Sequence, residues 1–276
     1  MISREGVILR SPQRPQNLST LRTGDEPRLQ SRSPNGPFEN QKTRSMKLIR
    51  EMPDLFRLVG RAPINSYFVR EDDGLTLVDA NLPGRSTRIV EIALRLELPI
   101  RRIALTHAHM DHTGSLDAIC ELLPSAQVFI GARESRLLDQ DFSLDCTEPQ
   151  RKIRGRFALV KTKPDLLHPG DHVGSLRALS TPGHTPGHVS FFDERNGALL
   201  AGDAFQTAGG VAVAGDLRLL FPFPALFTWD KKLALESARL LRDLNPTCLA
   251  PGHGGVVQLP LARIDRAIRR AARNFR

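Results

Sequence analysis

The chain has 276 residues, of which 40% are hydrophobic and 25% charged, enough to bury a sizeable core and near the upper limit for one compact domain. No stretch approaches the roughly 20 apolar residues of a membrane helix, and no apolar run of export-signal length precedes Pro12 and Pro15. The formal net charge of +9 invites a nucleic-acid partner, yet the basic residues gather at the two ends, from Arg4 to Arg44 and from Arg263 to Arg276, where a solvated arm is the commoner use.

Residues 1–45 are rich in Pro, Ser, Asn, Gln and Arg and carry no sustained apolar period. They are expected to form a disordered basic segment, with the folded domain running over 46–276. Cys120, Cys146 and Cys248 are odd in number and match neither a disulfide framework nor a CxxC site, so free thiols in a reducing cytoplasm are expected.

From Met46 onward, short apolar runs alternate with turn signals. Strands are predicted at Phe56–Val59 and Ser66–Val69, and Asp72-Asp73-Gly74 predicts a hairpin into Leu75–Asp79. A helix over Thr87–Leu96, a strand over Arg102–Thr106, a helix over Ser115–Leu123 and a strand at Val128–Ile130 follow. The aperiodic stretch 133–169 reads as an insertion facing substrate. A second half places strands at Leu176–Leu179, Val189–Phe192 and Ala198–Ala201, a long loop from Phe205 to Trp229, a helix over Lys231–Leu244, a strand at Thr247–Ala250 and a final helix over Leu261–Phe275. Two β-rich halves with flanking helices give the expected fold class, α+β, as a four-layer αββα sandwich.

The most informative local pattern is His107-Ala108-His109-Met110-Asp111-His112, set between an apolar strand and Gly114. Packing alone seldom requires three imidazoles and a carboxylate so close together. Residues two apart on extended chain point the same way, so His107 and His109 can share one ion while the tightening turn carries Asp111 and His112 toward another. His184, Asp203 and His253 each follow a predicted strand end in a Gly-rich setting, where such loops can converge. His188 is a candidate for orienting a ligand through a hydrogen bond. Thr106 and Thr181 are lesser candidates for the same task, and His168 and His172 read as exposed loop residues.

In this order, His107-x-His109-x-Asp111-His112, His184, Asp203 and His253 resemble the metal-ligand set of the metallo-β-lactamase superfamily over about residues 55–256. The resemblance implies that His107, His109 and His184 hold one ion, that Asp111, His112 and His253 hold a second, and that Asp203 bridges them. With Asp111 and a bridging Asp203, the set resembles that of glyoxalase II, lactonase and similar hydrolases rather than that of the β-lactamases that use a cysteine ligand. Two divalent cations are implied, zinc first, with iron or manganese as alternatives. Cations about 3.5–4 Å apart share a water and lower its pKa toward ~7, so the implied nucleophile is a bridging hydroxide, with Asp111 moving the proton.

The substrate expected from this resemblance is a small ester, thioester or lactone. Leu219, Leu220, Phe221, Phe223, Leu226, Phe227 and Trp229 are an unusual apolar concentration for a loop, fitting either an apolar acyl group or a homodimer contact. Little chain follows His253 to build a glutathione-binding domain, and Tyr67 is the sole tyrosine, so neither glyoxalase II nor acyl-homoserine lactonase is matched closely. The alternatives are a nucleic-acid binding or processing protein of the same fold, argued against by the lack of aromatics interleaved with basic residues, and an iron-dependent persulfide dioxygenase, argued against by the complete second ligand set.

Overall fold

Four antiparallel strands, Lys47–Met52 (β1), Leu55–Val59 (β2), Asn65–Glu71 (β3) and Gly74–Val78 (β4), open the computed structural model, which describes residues 46–60 and 62–275. The expected disordered segment 1–45 lies outside the described residues. Chain direction then changes: helix Ser86–Arg95 (α1) returns the chain so that Ile100–Leu105 (β5) runs parallel to β4. Helices Met110–Thr113 (α2) and Leu116–Leu122 (α3) lead to Gln127–Gly131 (β6), parallel to β5, and after helix Ala132–Leu138 (α4) strand Asp165–Leu167 (β7) completes a seven-stranded sheet in sequential order.

The second sheet is built from His172–Val173 (β8), Leu176–Ser180 (β9), Val189–Asp193 (β10), Ala198–Gln206 (β11) and Ala212–Val213 (β12). After helices Phe223–Leu226 (α5) and Lys231–Asp243 (α6) it continues with Cys248–His253 (β13) and Val257–Gln258 (β14), and helix Leu261–Asn274 (α7) closes the described chain. Its order is β14-β13-β11-β10-β9-β8, with β12 paired to β11.

Three separate apolar clusters make this a four-layer sandwich. On the outer face of the first sheet, Phe68, Leu75, Leu77 and Ile103 meet Ile89, Ile92, Leu116 and Ile119 of α1 and α3. Between the sheets, Tyr67, Val69, Val78 and Ala104 meet Ala178, Phe191, Leu200 and Ala250. On the far side, Leu199, Phe205 and Leu249 meet Leu235, Leu241, Ile264 and Ala267 of α6 and α7. The α+β αββα expectation holds because the inner strands of both sheets are apolar on both faces, which only two covering layers per sheet can bury.

Edges and loops differ from expectation. The polar strand β1 was not predicted; it is an edge strand held by its ladder to β2 and buries little. The stretch 205–229 is not one long loop. Strand β11 continues through Gln206, β12 folds back on it, and α5 forms a short turn of helix. Asp203 therefore lies inside β11, in a region where the register against β13 slips between Gly202 and Gln206. That irregularity re-aims the side chain, as bulges beside functional sites do.

Candidate metal centre

The chain ends of β5, β9 and β13, together with the distorted part of β11, meet at one edge of the sandwich. There the structure brings together all seven residues singled out from the sequence. His107, His109 and His184 form one group of mutually close donor atoms, His107, His112 and Asp203 a second, and Asp111, His112 and His253 a third.

The hydrogen bonds fix how each ring is turned. His107 Nδ1 lies 3.0 Å from Thr106 Oγ1, whose own proton goes to Asp79 Oδ2 at 2.9 Å. His109 Nε2 faces the Arg154 carbonyl at 2.9 Å. His112 Nδ1 is 2.7 Å from Asp79 Oδ2, and His253 Nδ1 is 3.2 Å from the Pro63 carbonyl. His184 Nδ1 is 3.3 Å from Thr228 Oγ1, which spends its proton on the Pro224 carbonyl. Every one of the five imidazoles thus has an oxygen acceptor behind it, so that in the neutral ring the opposite nitrogen is a bare lone pair aimed inward.

Those inward atoms crowd together. His109 Nδ1 is 3.1 Å from His107 Nε2 and 3.0 Å from His184 Nε2. Asp203 Oδ2 is 3.1 Å from His253 Nε2 and 3.4 Å from His184 Nε2, and Asp203 Oδ1 is 3.5 Å from His112 Nε2. Asp111 Oδ2 is 3.4 Å from His253 Nε2. His112 Nε2 and Asp203 Oδ1 are buried without a hydrogen-bond partner, an arrangement that costs free energy unless something else binds them. A cation is the group that converts converging lone pairs and an orphaned carboxylate oxygen from a penalty into a set of ligands.

Electrostatics divide the rings into two kinds. Burial, with the neighbouring imidazoles, holds His107 well below its ordinary pKa, and burial likewise lowers His109 and His184. Burial opposes protonation of His112 too, but Asp79, Asp111 and Asp203 outweigh it and lift its pKa to about 10. His253 is also raised, against its burial, chiefly by Asp203. Despite its own burial, Asp203 is held well below the usual carboxylate range by His253, His112 and His184.

His188 is not part of the cluster of inward nitrogens. Its Nε2 accepts the Asp203 backbone N–H at 3.0 Å and its Nδ1 lies 2.8 Å from Thr181 Oγ1. Burial drives its pKa down to about 3, which keeps Nε2 free to accept. It therefore positions the backbone of Asp203, and Thr181 orients His188. His168 and His172 sit away from the centre on exposed surface, as expected.

Two carboxylates were missed from the sequence. Asp79 takes His112, the Thr106 backbone N–H at 2.8 Å and the Thr106 hydroxyl. Glu134 is fully buried and accepts from Ala108 N at 2.8 Å, Thr185 Oγ1 at 2.8 Å and Gly187 N at 2.9 Å, tying the 107–112 loop to the 181–188 loop. Burial pushes Glu134 up to about 7, against these donors, which favour the carboxylate. Glu134 stands in the sequence among Arg133, Ser135 and Arg136, and Asp79 directly follows strand β4, and neither setting sets these carboxylates apart from ordinary polar residues.

A cavity of about 460 Å³ opens onto the centre, lined by His109, Asp111, His184, Asp203 and His253 on one side and by Ile64, Phe221, Phe223 and Phe227 on the other. Gly155 and Arg156 bring the 133–169 insertion to its rim. Both segments expected to wall the pocket do so. Trp229 is buried and anchors the insertion through Nε1 to the Arg151 carbonyl at 2.9 Å, whereas Leu219 and Leu220 point outward.

The comparisons agree with this geometry. The chain is 49% identical over 211 residues to the uncharacterized protein YobT of Bacillus subtilis, covering 76% of this chain and 91% of that one. It is 31% identical over 212 residues to YflN of the same organism, named a probable metallo-hydrolase, covering 69% of this chain and 80% of YflN. A solved structure of TTHA1623 in a di-iron-bound form superposes with a TM-score of 0.57 at 26% identity, covering 75% of this chain and 96% of that one. Residues 59–253 match the profile of the metallo-beta-lactamase superfamily, and the chain belongs to that superfamily.

Proposed function

We propose that the protein is a dinuclear metal-dependent hydrolase acting on an ester, thioester or lactone carbonyl. The observation that carries this reading is the arrangement of five imidazoles, each backed by an oxygen acceptor and each turning its other nitrogen toward the same small volume. His107, His109 and His184 would hold one cation, Asp111, His112 and His253 the other, and Asp203, which touches rings of both groups, would bridge. Zinc is the expected metal, although nitrogen and carboxylate donors suit iron and manganese as well, and TTHA1623 binds two irons.

When bound, such a pair supplies Lewis-acid polarisation of a carbonyl and a nucleophile available near neutral pH. The chain's own residues supply position. Both carboxylates line the cavity, but Asp203 is 3% exposed, enclosed by the rings of His112, His184 and His253, whereas Asp111 is 30% exposed. Asp111 is therefore the carboxylate placed to carry a proton between the centre and a departing group. The apolar wall of Ile64, Phe221, Phe223 and Phe227 suits an acyl chain.

Elemental analysis of purified protein, coupled to hydrolysis of lactone, thioester, β-lactam and phosphodiester substrates before and after chelation, tests this. Close to two metals per chain with chelator-sensitive turnover of a carbonyl substrate is the expected result. Fewer than one metal per chain after reconstitution with zinc, manganese and iron would overturn the assignment.

A further inference from the structure

Four of the six residues in Arg151-Lys152-Ile153-Arg154-Gly155-Arg156 are basic, and this segment crosses the mouth of the cavity. Its backbone is pinned there. The Arg151 carbonyl accepts Trp229 Nε1 at 2.9 Å, the Arg154 carbonyl faces His109 Nε2 at 2.9 Å, and the Arg156 carbonyl accepts Met110 N at 2.8 Å. The four basic side chains are exposed.

Behind the mouth lies a second cavity, of about 510 Å³, lined by Arg151, Lys152, Arg154 and Lys231 together with Thr228 and Trp229, and by no carboxylate. It and the first cavity are bounded by the same two stretches, 151–156 and 223–231. Thr228 belongs to the wall between them, since its Oγ1 lies 3.3 Å from Nδ1 of His184, which lines the first cavity.

The positive charge here is largely unspent. Arg151 is paired with Asp230 at 2.9 Å, but Lys152, Arg154 and Arg156 have no carboxylate partner among the described residues. Four acidic residues of the same insertion are already engaged: Asp139 with Lys163, Asp141 and Asp145 with Arg136, and Glu148 with Arg133. Cations held together without counterions repel one another, and a multiply charged anion relieves that repulsion. A single carboxylate would engage one guanidinium, whereas phosphate oxygens match several, in the fork geometry arginine favours.

We propose that the 151–156 segment recognises a phosphate-bearing half of the substrate. The substrate class is then an acyl ester or thioester whose apolar acyl group lies against Phe221, Phe223 and Phe227 while its other half, carrying phosphate, lies on the basic segment. This rests on the hydrolase reading above and narrows its substrate. Two sources supply the chemistry, a nucleotide-linked thiol carrier and a phospholipid headgroup.

The test compares kcat/KM of the metal-loaded protein for octanoyl-coenzyme A, for the octanoyl thioester of N-acetylcysteamine, which lacks phosphate, and for a monomeric octanoyl lysophospholipid. One phosphate-bearing substrate is expected to exceed the truncated thioester by at least about tenfold, and which one it is identifies the source. That ratio should fall with added salt and collapse in the double variant Lys152→Glu/Arg154→Glu, and in the milder Lys152→Gln/Arg154→Gln should the first misfold. Equal turnover of all three, with a ratio unmoved by salt or by either variant, would overturn the inference. Calorimetric titration with free coenzyme A, glycerol 3-phosphate and N-acetylcysteamine separates the two readings. If none of the three is hydrolysed, the ester and thioester part of the hydrolase reading fails, while salt-sensitive binding of a phosphate-bearing compound still supports the basic surface and absence of any such binding rejects it.

Discussion

Asp79 reaches two histidines of the centre at once: its Oδ2 is 2.7 Å from His112 Nδ1 and also accepts the Thr106 hydroxyl, which in turn lies 3.0 Å from His107 Nδ1. One buried carboxylate thereby sets the tautomer of a ring in each proposed metal position. Asp79 adopts φ 63°, a conformation that asparagine tolerates nearly as well. Asp79→Asn should preserve the fold yet weaken metal binding by about 10- to 100-fold, as read by chelator competition. Unchanged affinity for both ions would show that Asp79 does not orient the rings.

Gly252 precedes His253 where β13 passes the centre. A Cβ there would lie 2.3 Å from Asp203 Oδ1 and 2.7 Å from His112 Cε1, both held by buried neighbours. Gly252→Ala is expected to lose at least one metal per chain while keeping its far-UV circular dichroism. Full metal content with wild-type turnover would contradict the close approach.

Metal uptake should depend on pH in a defined direction. With His112 raised to about 10, its ring is protonated at pH 7 in the metal-free protein, and the raised pKa of His253 shifts that ring the same way. A cation needs the bare nitrogen and must expel the proton, so apparent affinity rises with pH toward 10, by about tenfold per unit for each proton released. Zinc titrations at pH 7 in buffers of differing ionisation enthalpy should register proton release. Heats independent of the buffer would rule out the coupling.

Glu134 offers a test of how the two ligand loops are held together. Glu134→Ala orphans the Ala108 and Gly187 N–H groups and the Thr185 hydroxyl, and unpaired buried donors cost about 1–3 kcal/mol each. A loss on the order of 3 kcal/mol in urea unfolding is expected, with a smaller loss for Glu134→Gln, which keeps one acceptor. Wild-type stability in both variants would remove Glu134 from this role.

What the sequence made legible depended on local pattern. The hairpin at Asp72-Asp73-Gly74, helix α6 and the 107–112 cluster were readable because periodicity, turn residues and ligand spacing are short-range. Strand β1 was not, because an edge strand with polar residues owes its existence to the partner it pairs with. Asp203 was placed after a strand although it lies within one, since nothing in Gly202-Asp203-Ala204 records the slipped register against β13. The roles of Asp79 and Glu134 arise only when distant loops approach, 33 residues to His112 in one case and 53 to Gly187 in the other, and no local pattern encodes that approach.

The donors of the first group also lie far apart along the chain, His109 and His184 being separated by 75 positions. Viewed as polymer topology, a cation shared by them is a reversible clip that closes a long loop and joins one sheet to the other. Closing loops of this size restricts the denatured chain by an amount worth about 4 kcal/mol in the chain-entropy model of cross-links. Removing the ion therefore reaches beyond chemistry at the pocket, because it returns that freedom to the unfolded ensemble and lets the two halves part more easily.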